Sequence, residues 1–290
     1  MKLGAVIITM GNRPDELRAL LDSVAGQDGA RIEVVVVGNG APVPDVPPGV
    51  RTVELPENLG IPGGRNVGIE AFGPSGADVD ALLFLDDDGY LPKTDTAELC
   101  RQAFDADPEL GIITFRIADP DTGVTQRRHV PRLRASDPMR SSRVTTFLGG
   151  ANAVRSQVIA EAGPLPGEFF YAHEETDLAW RALDAGWMID YRADMVLNHP
   201  TTAPSRHAVY HRMVARNRVW LARRNLPAPL VPLYVGVWLL LTLVRRPSAP
   251  ALKAWFGGFR EGWTTPCGPR RPMRWRTVWR LTRLGRPPVI

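Results

Sequence analysis

The sequence predicts an α/β fold built on a parallel sheet and followed by a distinct C-terminal extension. Two observations carry the first part. Residues 3 to 55 alternate apolar strand, amphipathic helix and apolar strand, with glycine-rich or polar ends. That order is the pattern of βαβ units. Ala81-Leu82-Leu83-Phe84-Leu85 then runs directly into Asp86-Asp87-Asp88-Gly89. An apolar run of this length bounded by turn residues reads as a buried strand, and ligands of open α/β sheets bind at such carboxyl ends. The third observation marks the extension. Leu230 to Val244 carries no charge, and from Arg245 onward eleven Lys/Arg face a single acid, Glu261. The expected organisation is a domain over 1–225 and a hydrophobic, basic helical extension over 226–290.

The elements follow in order. Leu3 to Thr9 is a short apolar strand. After Met10-Gly11-Asn12-Arg13-Pro14, Asp15 to Val24 spaces Leu17, Leu20, Leu21 and Val24 as one helical face. Asn12 or Asp15 is expected to cap that helix. Glu33 to Val37 is the second strand, ending in Gly38-Asn39-Gly40, and Val50 to Leu55 is the third. Between Glu57 and Gly68 the glycines cluster and open a helix. A helix N-terminus with free N–H groups favours anions, and Arg65 and Asn66 can donate to phosphate or sugar oxygens. A plain loop before a helix is the alternative. The first strand lacks the spaced glycines of a dinucleotide fingerprint.

Beyond the carboxylates, Glu98 to Phe104 reads as a helix and Ile112 to Ile117 as a strand. Residues 118 to 144 carry Arg127, Arg128, Arg132, Arg134, Arg140 and Arg143. They form either a loop over the site or a solvated basic excursion. A helix from about Arg155 to Ala162 stops at Gly163-Pro164. A second, ending at Gly186, places Leu178, Ala182 and Leu183 inward and pairs Asp177 with Arg181. Glu174 and Glu175 fall in its first turn, where the helix dipole stabilises carboxylates. That placement explains them structurally as well as functionally. Met188–Arg192 and Met195–Asn198 are two short strands before His199-Pro200, and Tyr210 to Asn225 is a basic amphipathic helix.

Asp86, Asp87 and Asp88 repel one another at a strand end. They suit a hard cation with oxygen ligands, Mn²⁺ or Mg²⁺, although a solvated acidic turn has the same composition. Cys100 and Cys267 lie far apart and fit no metal spacing or disulfide framework.

Taken together, these pieces resemble the inverting family-2 glycosyltransferases of the GT-A fold. The resemblance rests on Asn12-Arg13 after the first strand, Gly38-Asn39-Gly40, Asn58-Leu59-Gly60 with Gly63-Gly64-Arg65-Asn66, Asp86-Asp87-Asp88, Gly149-Gly150, Glu174-Glu175-Thr176-Asp177 and His199. It covers about residues 1 to 225. Tyr210 and Arg216-Asn217-Arg218 bring it closest to rhamnosyl- and galactofuranosyl-transferase-like branches. It implies a Rossmann-like, mixed and mostly parallel sheet with flanking helices. It also implies metal-dependent transfer of a sugar from a UDP- or dTDP-sugar to a hydroxyl of a glycan or lipid-linked acceptor. Thr9 and Arg13 would hold base and phosphates, and Asn39 would meet the nucleobase. Asn58, Gly64, Arg65 and Asn66 would flank the diphosphate. Asn12, Asp86, Asp87 and Gly150 complete that set. Asp86, Asp88 and His199 would form the metal shell, and Glu175 falls at the base position, with Glu174 and Asp177 as alternatives. One departure concerns nucleotide choice: Gly38 stands where the family carries an aspartate.

The net charge is +4, with +10 over residues 245–290 and −6 over the rest. A basic tail on an acidic body suggests a tethering surface, and no nucleic-acid partner is expected. Met1-Lys2-Leu3 is not a signal peptide, so a cytoplasmic protein is expected. Fifteen residues of helix rise about 22 Å, short of the roughly 30 Å hydrocarbon core. Leu230 to Val244 is therefore a buried core or dimer helix, or a segment lying on the inner face of the membrane. Arg223-Arg224, Arg245-Arg246, Trp238 and the tail residues Trp255, Trp263, Trp275 and Trp279 suit the latter. Two rival functions remain. Asp86-Asp87-Asp88-Gly89-Tyr90 mimics a haloacid-dehalogenase-type phosphatase motif, which that class carries on its first strand. A catalytically inactive nucleotide-sugar or glycan-binding protein is the other.

Overall fold

The computed structural model describes residues 1–133, 137–200, 210–245 and 247–290. Arg134 and Arg246, singled out above, lie outside the described residues. In chain order the main elements are β1 (Leu3–Thr9), α1 (Pro14–Ala25), β2 (Glu33–Asn39), β3 (Arg51–Leu55), α2 (Gly60–Glu70), β4 (Ala81–Asp86), α3 (Thr96–Ala106) and β5 (Leu110–Ala118). Then come β6 (Ser142–Arg143), β7 (Ala151–Arg155), α4 (Ser156–Ala162), α5 (Glu174–Ala185), β8 (Met188–Asn198), α6 (Tyr210–Asn225), α7 (Leu230–Val244), α8 (Ala249–Thr264) and α9 (Trp275–Arg283).

The strands form one mixed sheet in the order β3-β2-β1-β4-β7-β5-β8-β6. β1 pairs in parallel with β2 and β4, and β2 with β3. β7 runs antiparallel between β4 and β5. Register positions the site: Thr9 lies opposite Gly38, and Ile8 opposite Asp86, so three parallel strands end at one edge.

Helices cover both faces, which is why β1 and β4 read as continuous apolar runs rather than alternating ones. One face packs under α1 and α3, with Leu17, Leu20, Leu21, Val24 and Phe104 buried. Leu20 is fully buried, so Leu20→Ala would cost about 2–5 kcal/mol. The other face packs under α2, α4, α5 and the C-terminal segment, whose Leu221, Tyr234, Cys267, Met273 and Leu281 join the same apolar cluster.

Several elements differ from expectation. The residue preceding α1 is Arg13, with no side-chain cap, so neither Asn12 nor Asp15 caps the helix; Pro14 starts it instead. β7 carried no usable signal, because five residues with Asn152 second and Arg155 last show no periodicity. The two short strands after α5 are one strand, β8, whose register against β5 shifts between Arg192 and Val196. Asp194 turns back there onto Arg192. In the 118–144 excursion, Arg143 pairs with Asp107 and Asp190, and Arg132 packs over Tyr191. These arginines brace the β8 edge, and none lines the ligand cleft.

α7 is not a buried core helix. Only Tyr234 and Val235 are buried, while Leu233, Leu240, Leu243 and Val244 are 46–68% exposed. Among the described residues no helix is long and apolar enough to cross a membrane.

Candidate active site

A cleft of about 430 Å³ opens at the carboxyl ends of β1, β2 and β4. Thr9, Asn12, Arg13, Asn39, Asn58, Asp86, Asp87, Asp88 and His199 all line it. Thus nine residues scattered over nearly 200 positions meet at one place, because parallel strands deliver their ends to the same edge.

The three aspartates have separate partners. Asp87 accepts a hydrogen bond from the Thr9 hydroxyl at 2.7 Å, and burial pushes its pKa up. Asp88 is held by Arg13 and by His199, whose Nε2 lies 2.9 Å from Asp88 Oδ1. Burial alone would raise the Asp88 pKa; the His199 hydrogen bond and the nearby cations outweigh it and leave the pKa lowered. His199 is the mirror case: burial lowers its pKa, but Asp88 and Asp86 raise it overall.

Asp86 lines the cleft as well but pairs with Arg65. Its Oδ1 lies 3.1 Å from Arg65 Nη2. Among the described residues no group of three His, Cys, Asp or Glu side chains that could hold a metal ion is found. One carboxylate and one imidazole facing the cleft suit Mn²⁺ or Mg²⁺ when substrate phosphates supply the remaining oxygens.

Arg65 lies between two carboxylates and does not line the cleft, where it was expected to flank a diphosphate. It is only 2% exposed, lies over the Phe84 ring and reaches Asp86 on one side and Glu175 Oε1, 4.0 Å away, on the other. Gly149 and Gly150 form the bed for these two carboxylates. A Cβ at Gly150 would overlap the Asp86 carboxyl, and one at Gly149 would overlap Glu175 Oε1.

The three candidate bases separate clearly. Asp177 is fully buried and bonded to Arg181, Arg224 and Asn225, which removes it as a base. Glu174 is 1% exposed with neither oxygen hydrogen-bonded, and burial and then the Glu175 charge push its pKa up to about 8. Glu175 retains 22% side-chain exposure, and its pKa is raised by burial against the opposing attraction of Arg65. It stands across Arg65 from Asp86 and outside the cleft lining itself.

The glycine-rich stretch is organised differently from expectation. The first N–H groups of α2 are occupied by protein: Leu59 N donates to Asn39 Oδ1, Gly60 N to Asn58 Oδ1 and Ile61 N to Phe170 O. No free anion-binding helix end remains there. Gly64 packs against Asn39 and Ile8 from within α2. Asn66 points elsewhere, exchanging two hydrogen bonds with the Leu165 backbone.

Phe170 and Tyr171 also line the cleft and were not foreseen. They sit in a strained segment, with positive φ at Phe170, Ala172 and His173. Such backbone persists only when its surroundings over-determine it. Asn217 of α6, fully buried, supplies that constraint by donating to the carbonyls of Phe169, Tyr171 and Ala172. Arg216 donates to Phe169 O as well. The aromatic run Phe169-Phe170-Tyr171 just before the acidic helix was the available signal. Gly38 also has a structural cause: a Cβ there would run into the Ala41 carbonyl, so no carboxylate fits.

The sequence profile of glycosyl transferase family 2 matches residues 5–162. No curated protein sequence matches the chain. Among solved structures, TarS 1–349 of S. aureus in complex with UDP-GlcNAc is similar at 14% identity and TM-score 0.59, covering 90% of this chain and 80% of that one. The mannosyltransferase PcManGT from Pyrobaculum calidifontis, in complex with GDP-Man and Mn²⁺, is similar at 17% identity and TM-score 0.56, covering 98% and 84%. GalNAc-T7 with UDP, GalNAc and Mn²⁺ is similar at 12% identity and TM-score 0.62, covering 81% and 49%. At these identities the likeness is one of fold, the GT-A arrangement. The chain spans 40% of the longer TarS chain and 64% of its 1–349 form in two further structures.

Proposed function

The chain belongs to glycosyl transferase family 2, and from that premise we propose that it transfers a sugar from a nucleoside-diphosphate sugar to an acceptor hydroxyl with inversion. The observation that carries this reading is the division of carboxylates about Arg65. Asp87 and Asp88 belong to the cleft with Thr9 and Arg13, while Glu175 stands apart with a raised pKa. Asp88 and His199 would hold Mn²⁺ or Mg²⁺. When bound, the ion supplies neutralisation of charge on the leaving diphosphate. Arg13 adds a fixed cation beside Asp88. The nucleoside lies between Thr9, Asn39, Asn58 and the Phe170-Tyr171 wall. UDP and dTDP are the favoured carriers.

Glu175 acts as general base. It accepts the proton of the acceptor hydroxyl, whose oxygen bonds to the anomeric carbon as the bond to the diphosphate oxygen breaks. A single displacement inverts that carbon without a covalent sugar–enzyme intermediate. Asp86 and Arg65 position Glu175 and set its basicity. The acceptor class is a glycan or lipid-linked hydroxyl, and the rhamnosyl- or galactofuranosyl-transferase-like branch remains the favoured one. The domain division at 225/226 is retained as a functional one, with 226–290 facing the membrane. The exposed apolar residues of α7 precede a +10 segment that exposes Phe256, Trp263, Trp275 and Trp279, and together they suit an anionic inner leaflet. Sedimentation with anionic and neutral vesicles at low and high salt separates this from association of two copies. The phosphatase alternative is dropped, since its motif belongs to a first strand and Asp86 ends β4 of a family-2 chain.

A donor screen tests the proposal: Mn²⁺-dependent release of nucleoside diphosphate from a panel of UDP-, dTDP- and GDP-sugars, with candidate acceptors. Asp88→Ala should abolish metal-dependent UDP binding. Tight nucleotide binding with no turnover on any acceptor would overturn transfer in favour of a binding protein.

A further inference from the structure

A second, much smaller cavity lies on the other side of α5 from Glu175. His173, Thr176 and Trp180, spaced along one helical stripe, form one wall. Arg218 of α6, Tyr234 and Trp238 of α7, and Arg286 near the end of the chain close it. Its volume is about 40 Å³, room for a few waters or one phosphate group and too small for a sugar or a nucleotide.

The chemistry of the walls is one-sided. Arg218 and Arg286 are two partly buried cations, and among the described residues no Asp or Glu acts on either. Arg218 meets the Tyr234 hydroxyl and the Trp238 ring, whose centroid is 3.3 Å from its guanidinium carbon, and Arg286 faces Tyr234 and His173. Residues 134–136, 201–209 and 246 include no Asp or Glu. Two more polar atoms are buried without partners here, Trp238 Nε1 and His173 Nε2. The indole nitrogen can only donate, and burial keeps His173 neutral, so its Nε2-protonated tautomer adds a donor. Buried donors without an acceptor beside these two cations are costly as they stand, and one bound oxyanion satisfies them together.

Trp238 and Tyr234 close the cavity from one face of α7, and helical spacing puts the exposed Leu233, Leu240, Leu243 and Val244 on the opposite face. His173 and Thr176 flank Glu174-Glu175 in one turn, which ties the cavity mechanically to the proposed base.

We propose that this cavity is a binding subsite for a phosphate group, free or carried on an amphiphile, held by Arg218, Arg286 and the Trp238 indole.

Calorimetry on the full chain, without nucleotide or metal, tests it with octyl phosphate and inorganic phosphate as probes. At least one probe should bind; tighter octyl phosphate binding assigns the group to an amphiphile, and equal or tighter inorganic phosphate binding assigns it to a free phosphate. Arg286→Gln should weaken that binding by about tenfold or more, the scale of a charge-assisted hydrogen bond. Trp238→Phe keeps an aromatic ring under Arg218 and removes the donor, so it should weaken binding less. Binding of UDP with Mn²⁺ should be unchanged in both variants, which also shows that they fold. Absence of binding by both probes, or wild-type affinity in Arg286→Gln, would overturn the site. Loss of UDP binding by the wild type with octyl phosphate binding intact would sink the transfer reading and leave this site standing.

Discussion

Replacing Arg65 by Met tests whether one buried cation sets the basicity of Glu175. The guanidinium is 2% exposed and its Nη1 lies 4.0 Å from Glu175 Oε1. At that distance two unit charges interact by about 4 kcal/mol at an effective dielectric of about 20. This corresponds to a ceiling of about 3 pKa units. Glu175 retains some solvent exposure, so a rise of roughly 1–2 units is the expected outcome after screening. The sign is fixed by the causes. Burial and the Asp86 charge already raise the Glu175 pKa, and Arg65 lowers it. Without the cation the pKa rises further, and the carboxylate that serves as base forms only at higher pH. The acid limb of kcat/KM against pH, followed by nucleoside diphosphate release, should therefore move upward by that amount. Met preserves most of the aliphatic volume over Phe84. The stability change has a sign as well. A carboxyl whose folded pKa lies above its unfolded value contributes stability below the unfolded pKa and loses it as pH rises through the folded pKa. The variant should thus melt progressively lower than wild type as pH rises. An acid limb that stays in place, in a variant that folds, would refute the coupling of Arg65 to the base.

Glu175→Gln should leave UDP binding intact and lower transfer by about 10²-fold or more; normal transfer would mean that another group takes the proton. Asn217→Leu removes three hydrogen bonds to the carbonyls that hold the strained cleft wall. It should cost about 2–5 kcal/mol in denaturant unfolding, and in the folded fraction UDP should bind more weakly, since Phe170 and Tyr171 line the cleft. Glu174→Gln removes a carboxyl whose pKa burial and Glu175 push up to about 8. Wild-type stability should fall as pH rises from the ordinary glutamate range towards 8, by at most about 1.4 kcal/mol per pH unit from this group. The variant should lose that part of the slope, as read by urea unfolding at several pH values; an unchanged slope would show that Glu174 is ionised in the fold.

What the sequence alone determined is local and periodic. The apolar runs of β1, β2 and β4, the Leu17-Leu20-Leu21-Val24 stripe and the carboxylates at Asp86-Asp87-Asp88 were legible because each is a property of adjacent residues or of one helical turn. Parallel pairing then follows from the βαβ order, and with it the placement of Thr9, Asn39 and Asp88 at one sheet edge. Only the tertiary structure decided which polar group faces the ligand and which faces another part of the chain. Arg65 and Asn66 are sequence neighbours on one helix, yet one is buried between two carboxylates and the other clamps Leu165. Glu174, Glu175 and Asp177 share a helical turn, and their different roles come from Arg224, Asn225 and Arg65, which approach from elsewhere in the chain. The constraint of Asn217 on the Phe169–Ala172 backbone spans about 45 residues in the same way. Composition and spacing report the chemistry a side chain can perform. Its partners are set by packing between segments distant in sequence, and for a buried charge those partners decide its protonation and hence its function.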